Sequence, residues 1–114
     1  MSQSLRGVCV GAGYFSRFQY ESWHRMPGVE ITAMCNRSVE RAQPLADEFG
    51  IPKVYTIDDF GAMLDAEKPD FVDIITPPNT HLELCREAAA RLNHGSPWPT
   101  PVFPHGLVPK VSDK

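Results

Sequence analysis

Long apolar runs are missing from this 114-residue chain: no uninterrupted hydrophobic stretch approaches the ~20 residues of a membrane span, so no membrane partner is expected. Surplus positive charge is missing too. A formal net charge of −3 leaves no electrostatic footprint for nucleic acid or for an anionic surface. The opening Met1-Ser2-Gln3-Ser4-Leu5-Arg6 lacks a charged region followed by an apolar one, so a secretory leader is not expected. Cysteine is scarce. Cys9, Cys35 and Cys85 are odd in number and widely spaced, two in strand-like segments and one on the apolar face of a helix. They read as buried, reduced thiols of a cytoplasmic protein rather than as a metal or redox site. His24, His81, His94 and His105 show no ligand spacing with one another or with cysteine, so no metal centre is expected. Trp23 and Trp98 form no aromatic stripe with basic residues, which removes the usual signal for single-stranded nucleic acid. The length is that of a single domain at most, with a modest core.

What is present begins with Gly11-Ala12-Gly13-Tyr14-Phe15-Ser16, between an apolar strand, Leu5 to Val10, and a helix running to Met26 before Pro27-Gly28. A bare glycine motif is a weak signal, but strand, turn and helix here fall in the order a dinucleotide pyrophosphate requires. The glycine turn lets backbone approach the phosphates, and the helix N-terminus offers free N–H groups and the positive end of its dipole. Ser16 stands where glycine or alanine is usual; it is small enough for close helix–strand packing. Helical spacing puts Phe15, Phe18, Ser22, Trp23 and Met26 in one broad stripe, the expected inward face.

Val29 to Cys35 reads as a second strand. A helix is expected from Ser38 as N-cap to Phe49, with Ala42, Leu45, Ala46 and Phe49 inward and Gly50 just past its end. Pro44 should loosen or kink its first turns. Lys53-Val54-Tyr55 is a short third strand, and Thr56-Ile57-Asp58-Asp59 resembles a capping box before a short helix through Phe60, Met63 and Leu64. Phe71 to Ile75 is a fourth strand, Pro77-Pro78 an extended turn, and Thr80 with Glu83 a second capping box. The helix behind it buries Leu82, Cys85, Ala89 and Leu92. Four strands alternating with helices predict an α/β fold, a doubly wound parallel sheet that is Rossmann-like and incomplete. The expected division is residues 1–92 as the partial nucleotide-binding domain and 93–114 as an irregular or disordered tail. Five of the eleven prolines crowd that tail, excluding a central strand or helix interior. A fifth parallel strand is due after the last helix and is not seen. Either the tail is a natural C-terminus, or the coding frame or gene was interrupted near Ala90.

The first ~92 residues resemble the N-terminal domain of the glucose–fructose oxidoreductase/inositol dehydrogenase/rhizopine catabolism superfamily, Gfo/Idh/MocA. The resemblance rests on Gly11-x-Gly13-x-x-Ser16, on Asn36-Arg37-Ser38 with Glu40-Arg41-Ala42, on Phe49-Gly50-Ile51-Pro52, and most specifically on Phe71 through His81, reading FVDIITPPNTH. It implies an NAD(P)-binding Rossmann domain, normally joined to a larger α+β domain that binds a sugar, polyol or related substrate. The family's catalytic lysine follows the fifth strand in a Glu-Lys-Pro segment, and further groups come from the second domain; this chain supplies neither, so no catalytic residue is assigned. Glu67-Lys68-Pro69 spells the same tripeptide ahead of the fourth strand, at the amino-end edge of the sheet, where a solvated lysine is the better reading.

The expected cofactor-binding residues are Gly11, Gly13, Tyr14, Phe15, Asn36, Arg37, Thr76, Pro77, Asn79 and His81. Asn36 and Arg37 end the second strand, where an acidic residue would bind ribose hydroxyls and repel a 2′-phosphate. An amide and a guanidinium favour NADP over NAD, unless Asn36 merely makes the turn and Arg37 is solvated. Asn79 either meets the cofactor or organises the turn before Thr80; His81 either touches the cofactor or is a surface histidine. Asp58-Asp59 reads as a helix start, and Asp70 and Asp73 as lying at the fourth strand's entry. The function expected is nicotinamide dinucleotide binding, as the cofactor part of such an oxidoreductase. The alternatives are a redox-sensing module without catalysis and a non-functional product of an interrupted gene. A separate substrate domain or a homo-oligomer is a possible partner.

Overall fold

The computed structural model describes residues 5–13, 16–75, 78–93 and 107–109, with side chains of the last helix described from Glu83 onward. Strand β1 (Leu5–Val10) leads to helix α1 (Ser16–Arg25), β2 (Val29–Asn36), α2 (Val39–Phe49), β3 (Lys53–Thr56), a 3-10 turn (Ile57–Asp59), α3 (Phe60–Glu67), β4 (Phe71–Ile74), α4 (Pro78–Leu92) and β5 (Leu107–Pro109). The sheet order is β3-β2-β1-β4-β5. The first four strands are parallel, with the β1–β2 register shifting between Gly7 and Val8. This is the expected doubly wound, Rossmann-like arrangement.

Alternation along the strands divides the core in two. Val8, Val10, Val72 and Ile74 face Phe60, Met63 and Leu64 of α3 and Cys85 and Ala88 of α4. Cys9 and Met34 face Tyr20 of α1 and Ala42 and Ala46 of α2. All three thiols are buried and free.

Helix α2 forms as its end signals demand. Ser38 Oγ accepts from the Arg41 amide at 3.2 Å, and Gly50 closes the helix with φ +68°. The expected loosening at Pro44 does not interrupt it: the Ser38 cap on one side and buried Ala42 and Ala46 anchor the turns around the ring.

Three local expectations are corrected. Of the stripe expected to face inward from α1, Trp23 packs against the core, but Phe18 and Met26 are 57% and 47% exposed and Ser22 is exposed, whereas Ser16 and Tyr20 are buried; Phe15 lies outside the described residues. The side chains drawn inward are donors, Gln19 and Trp23 to Asp73 and Tyr20 to Gly11 O. The Thr56 box does not form, because its hydroxyl donates to the Asp59 carboxylate (3.2 Å) and a 3-10 turn precedes α3. Helix α4 begins at Pro78, two residues ahead of the expected Thr80 cap. Proline suits that first position, since its φ is already helical and its missing N–H would have had no helical partner.

Within the expected irregular tail, residues 107–109 form a strand, while 94–106 and 110–114 lie outside the described residues. β5 runs antiparallel to β4, pairing Val108 with Val72, and Val108 is wholly buried in the α3–α4 core. Asn93 Nδ2 donates to the Pro109 carbonyl at 3.3 Å. The strand lies at the sheet edge, the position in which proline is tolerated, and it is antiparallel where a parallel one was due.

At the amino end of the sheet, Lys68 closes α3 with φ +48°, and its amide donates to Leu64 O at 3.0 Å. Arg6 donates to the Lys68 carbonyl (3.1 Å) and, through its amide, to Asp70 (2.9 Å). The Glu67-Lys68-Pro69 segment therefore sits at the opposite end from the strand termini. The buried Glu67 carboxylate accepts from Tyr55 Oη at 3.0 Å and Lys53 Nζ at 3.2 Å. Burial pushes its pKa up, but the hydrogen bonds from Tyr55 and Lys53 outweigh that and hold it below the ordinary 4.5.

Two outcomes follow for stability. Val108→Ala removes two buried methyl groups and should cost roughly 2 kcal/mol, read as a lower urea midpoint at unchanged slope. Because the folded pKa of Glu67 is depressed, its contribution is complete above the ordinary value and lost as pH falls through the folded one. Glu67→Gln should accordingly lower the midpoint at pH 7, with the gap to wild type closing as pH falls below 4.5.

Candidate functional site

The winding direction reverses between β1 and β4, so a crevice opens at the carboxyl end of β1, where ligands of open α/β sheets bind. Gly11 begins it with φ +117°, and a Cβ there would lie 2.6 Å from the Ile75 carbonyl oxygen, so both the backbone conformation and the space require glycine. Its amide donates to Cys35 O at 2.8 Å and its carbonyl accepts from Tyr20 Oη at 2.7 Å. Gly13 differs: a Cβ there would meet nothing within 4 Å, so the loop is open to the cleft at this residue. The Gly13 carbonyl accepts from the Ser16 amide (3.1 Å) and hydroxyl (2.5 Å), which starts α1 directly behind the loop. Ser16 therefore serves the close packing expected of it.

The cleft has a volume of about 550 Å3, within the roughly 300–1,000 Å3 of small-molecule sites. Gly11, Ala12 and Gly13 form its floor, Asn36 and Arg37 the end of β2, and Ser38 and Arg41 the start of α2. Ile57 and Leu84 supply apolar wall, and Glu83 and Glu87 lie along α4. The cleft thus carries two guanidinium groups at the β2–α2 corner and two carboxylates on α4. Glu87 is engaged by Arg91 at 3.2 Å, and Arg91 reaches Asp65 at 2.7 Å, tying α4 to α3.

Gly11, Gly13, Asn36 and Arg37 are brought together here as grouped from sequence. Asn36 also makes the turn, its Nδ2 donating to Ser38 O at 3.0 Å. Asn79 and His81 lie in the first turn of α4, but their side chains, like all of Tyr14, Phe15, Thr76 and Pro77, fall outside the described residues. Sequence reading missed Ser38, Arg41, Ile57, Leu84, Glu83 and Glu87 as lining residues. For Arg41 a signal existed, since it lies in the first turn behind the Ser38 cap, beside the strand end. Ile57 and Leu84 are distant in sequence and carried none.

Asp73 is not at the strand's entry in any exposed sense. It sits inside β4, fully buried, with its Oδ2 accepting from Trp23 Nε1 at 2.8 Å and Gln19 Nε2 at 3.2 Å. Near it, burial and then the Asp73 charge push the Cys9 thiol well up, and burial foremost raises Tyr20. Burial, then Asp59, raises Cys35 to about 12, and burial raises Cys85. Thiols held so protonated are poor nucleophiles and poor ligands. Among the described residues no three His, Cys, Asp or Glu side chains gather to hold a metal ion, and no helix is long and apolar enough to cross a membrane.

Comparison with known proteins agrees with this geometry. The chain is 40% identical over 85 residues to a D-apiose dehydrogenase of Paraburkholderia graminis, covering 75% of this chain and 22% of that protein. It is 35% identical over 83 residues to the D-glucoside 3-dehydrogenase of Escherichia coli, covering 72% and 23%. Among solved structures, an oxidoreductase from Agrobacterium radiobacter in complex with NAD+, L-tartaric acid and magnesium superposes with a TM-score of 0.71 at 35% identity, covering 78% of this chain and 25% of that one. Scyllo-inositol dehydrogenase from Lactobacillus casei shares the fold, with a TM-score of 0.70 at 19% identity, covering 78% and 26%. The chain thus spans about a quarter of the length of the relatives it matches. Residues 5–94 match the family described as the GFO_IDH_MocA oxidoreductase family, NAD-binding Rossmann fold, and with a glycine loop, switch-point cleft and sheet order to match, the chain belongs to that family.

Proposed function

We propose that this chain is the cofactor-binding part of a Gfo/Idh/MocA-type oxidoreductase acting on a sugar, polyol or related substrate, and that it holds NADP(H) in preference to NAD(H). The observation that carries the first claim is Gly13. It lines the cleft with open space where a side chain would stand, three residues ahead of the start of α1, so a phosphate there meets the positive end of the helix dipole. The fit of a dinucleotide is supported by the cleft's size and by its apolar walls at Ile57 and Leu84. Residues 1–92 form the binding unit in this reading, and 93–114 an appended segment that lends β5 to its edge.

Each group then has a task. Gly11 and Gly13 admit the pyrophosphate, and Tyr14 and Phe15 are proposed to contact the cofactor beside them. Arg37 and Arg41 receive a 2′-phosphate in a charge-assisted, fork-like contact. Asn36, an amide at the end of β2, does not repel that phosphate. Thr76, Pro77, Asn79 and His81 border the cofactor beyond β4. The chemistry supplied when the dinucleotide is bound is hydride exchange at the nicotinamide. Groups that bind the substrate and handle its proton come from a separate substrate domain. The buried, protonated thiols at Cys9, Cys35 and Cys85 suit the reducing conditions of a cytoplasm.

The test is titration of the purified chain with NADPH and NADH, followed by cofactor fluorescence. Both should bind saturably, NADPH more tightly, with no turnover when sugars or polyols are added. Gly13→Asp places a negative charge at the open face and should abolish binding with the circular dichroism spectrum unchanged. Replacing Arg37 and Arg41 together by alanine should weaken NADPH about tenfold, the scale of one charged hydrogen bond, and leave NADH as it was. A folded chain that binds neither dinucleotide would refute the proposal. Tighter binding of NADH would refute the preference and make Asn36 the ribose contact.

A further inference from the structure

We propose that Asp73 is a positioning residue for the glycine loop: through Trp23 and Gln19 it sets the rotation and depth of α1, and thereby where Gly11 and Gly13 present themselves to the cofactor. The inference rests on the dinucleotide reading above. Asp73 does not line the cleft; it acts from behind.

The geometry is directional. Gln19 and Trp23 are four residues apart, on one face of α1 and one turn from each other. Both donate to the same oxygen, Asp73 Oδ2, at 3.2 and 2.8 Å. Two donors converging from adjacent turns fix the helix about its axis and along it, which apolar contact alone does not do. The Trp23 ring is further seated on Phe71, with ring centroids 4.6 Å apart. Phe71 in turn occupies the space over Gly7, where a Cβ would collide with its ring.

The same helix holds the loop. Tyr20, between the two donors, reaches Gly11 O at 2.7 Å, and Ser16 at the helix start reaches Gly13 O through its amide and hydroxyl. A rotation of α1 is therefore passed directly to both glycine carbonyls. Stability does not explain a carboxylate here. Its neighbours Val72 and Ile74 show what a buried strand position ordinarily holds, and a buried acidic group is costly against an apolar one of similar volume. What it adds over an apolar side chain is orientation.

The experiment compares the dinucleotide that the chain binds more tightly with its adenosine half, adenosine 2′-monophosphate for NADP(H) or adenosine for NAD(H). The half-molecule is measured by displacement and lacks the pyrophosphate. Trp23→Phe keeps the ring and removes the donor; Gln19→Met does the same for the amide. Each should raise the dinucleotide Kd about fivefold, the scale of one net hydrogen bond, and leave the half-molecule unchanged. Asp73→Asn, which retains an oxygen acceptor, should lose less than Asp73→Val. Leu64→Ala, in the core layer on the other side of the sheet, lowers stability as a control and should not change the ratio of the two constants. If Trp23→Phe and Gln19→Met stay folded with both ligands unaffected, or weaken both ligands equally, the role is structural only and the inference fails. If wild type binds neither ligand, the cofactor reading itself fails and takes this inference with it.

Discussion

Two hydrogen-bond acceptors beneath one helix organise this domain: the Asp73 carboxylate in the middle of β4 and the Gly11 carbonyl at the end of β1. Both are buried, and a buried acceptor without a donor is costly. Helix α1 is therefore turned so that Gln19, Tyr20 and Trp23 point inward, and Phe18 and Met26 are left in solvent. Apolar area argued for the opposite face. The loss from exposing two large side chains is a few kcal/mol at most, comparable to the cost of leaving two buried acceptors unmatched. Tyr20 and Trp23 also recover much of the apolar contact, because each brings a ring along with its donor.

The rest of the cleft follows from where helices start and stop. Ser38 caps α2 immediately after β2, so Arg37 and Arg41 stand together at one corner. Ser16 begins α1 immediately after the glycines. These short strand-to-helix connections put helix N-termini and cationic side chains at the carboxyl end of the sheet. The amino end, by contrast, is closed by structural contacts: Arg6 with Lys68 and Asp70, and Glu67 with Lys53 and Tyr55.

Most of the fold was legible from periodicity and punctuation. The order of four strands and four helices, the Ser38 cap and the Gly50 stop all rest on local chemistry within a few residues. So did the grouping of Gly11, Gly13, Asn36 and Arg37 at one end of the sheet, since strand ends follow from strand limits. Two of the errors share a cause. The α1 face and the tail strand each depend on a partner far along the chain: Asp73 lies 50 residues from Trp23, and β5 pairs with β4 from beyond the prolines. Helical spacing counts methyl groups but cannot see an acceptor on a strand not yet placed.

Sequence alone determined the family, the alternation of strand and helix, and the presence of a glycine turn ahead of a helix, because these are written in residue type and short spacing. Tertiary structure decided which face of α1 is buried, that Arg41, Ile57 and Leu84 share a cleft with Gly13, and that Leu107–Pro109 completes the sheet as an antiparallel edge. Each of these is a choice among surfaces the chain could bury. Such choices are settled only when acceptors, donors and apolar area from distant segments meet in one low-dielectric space.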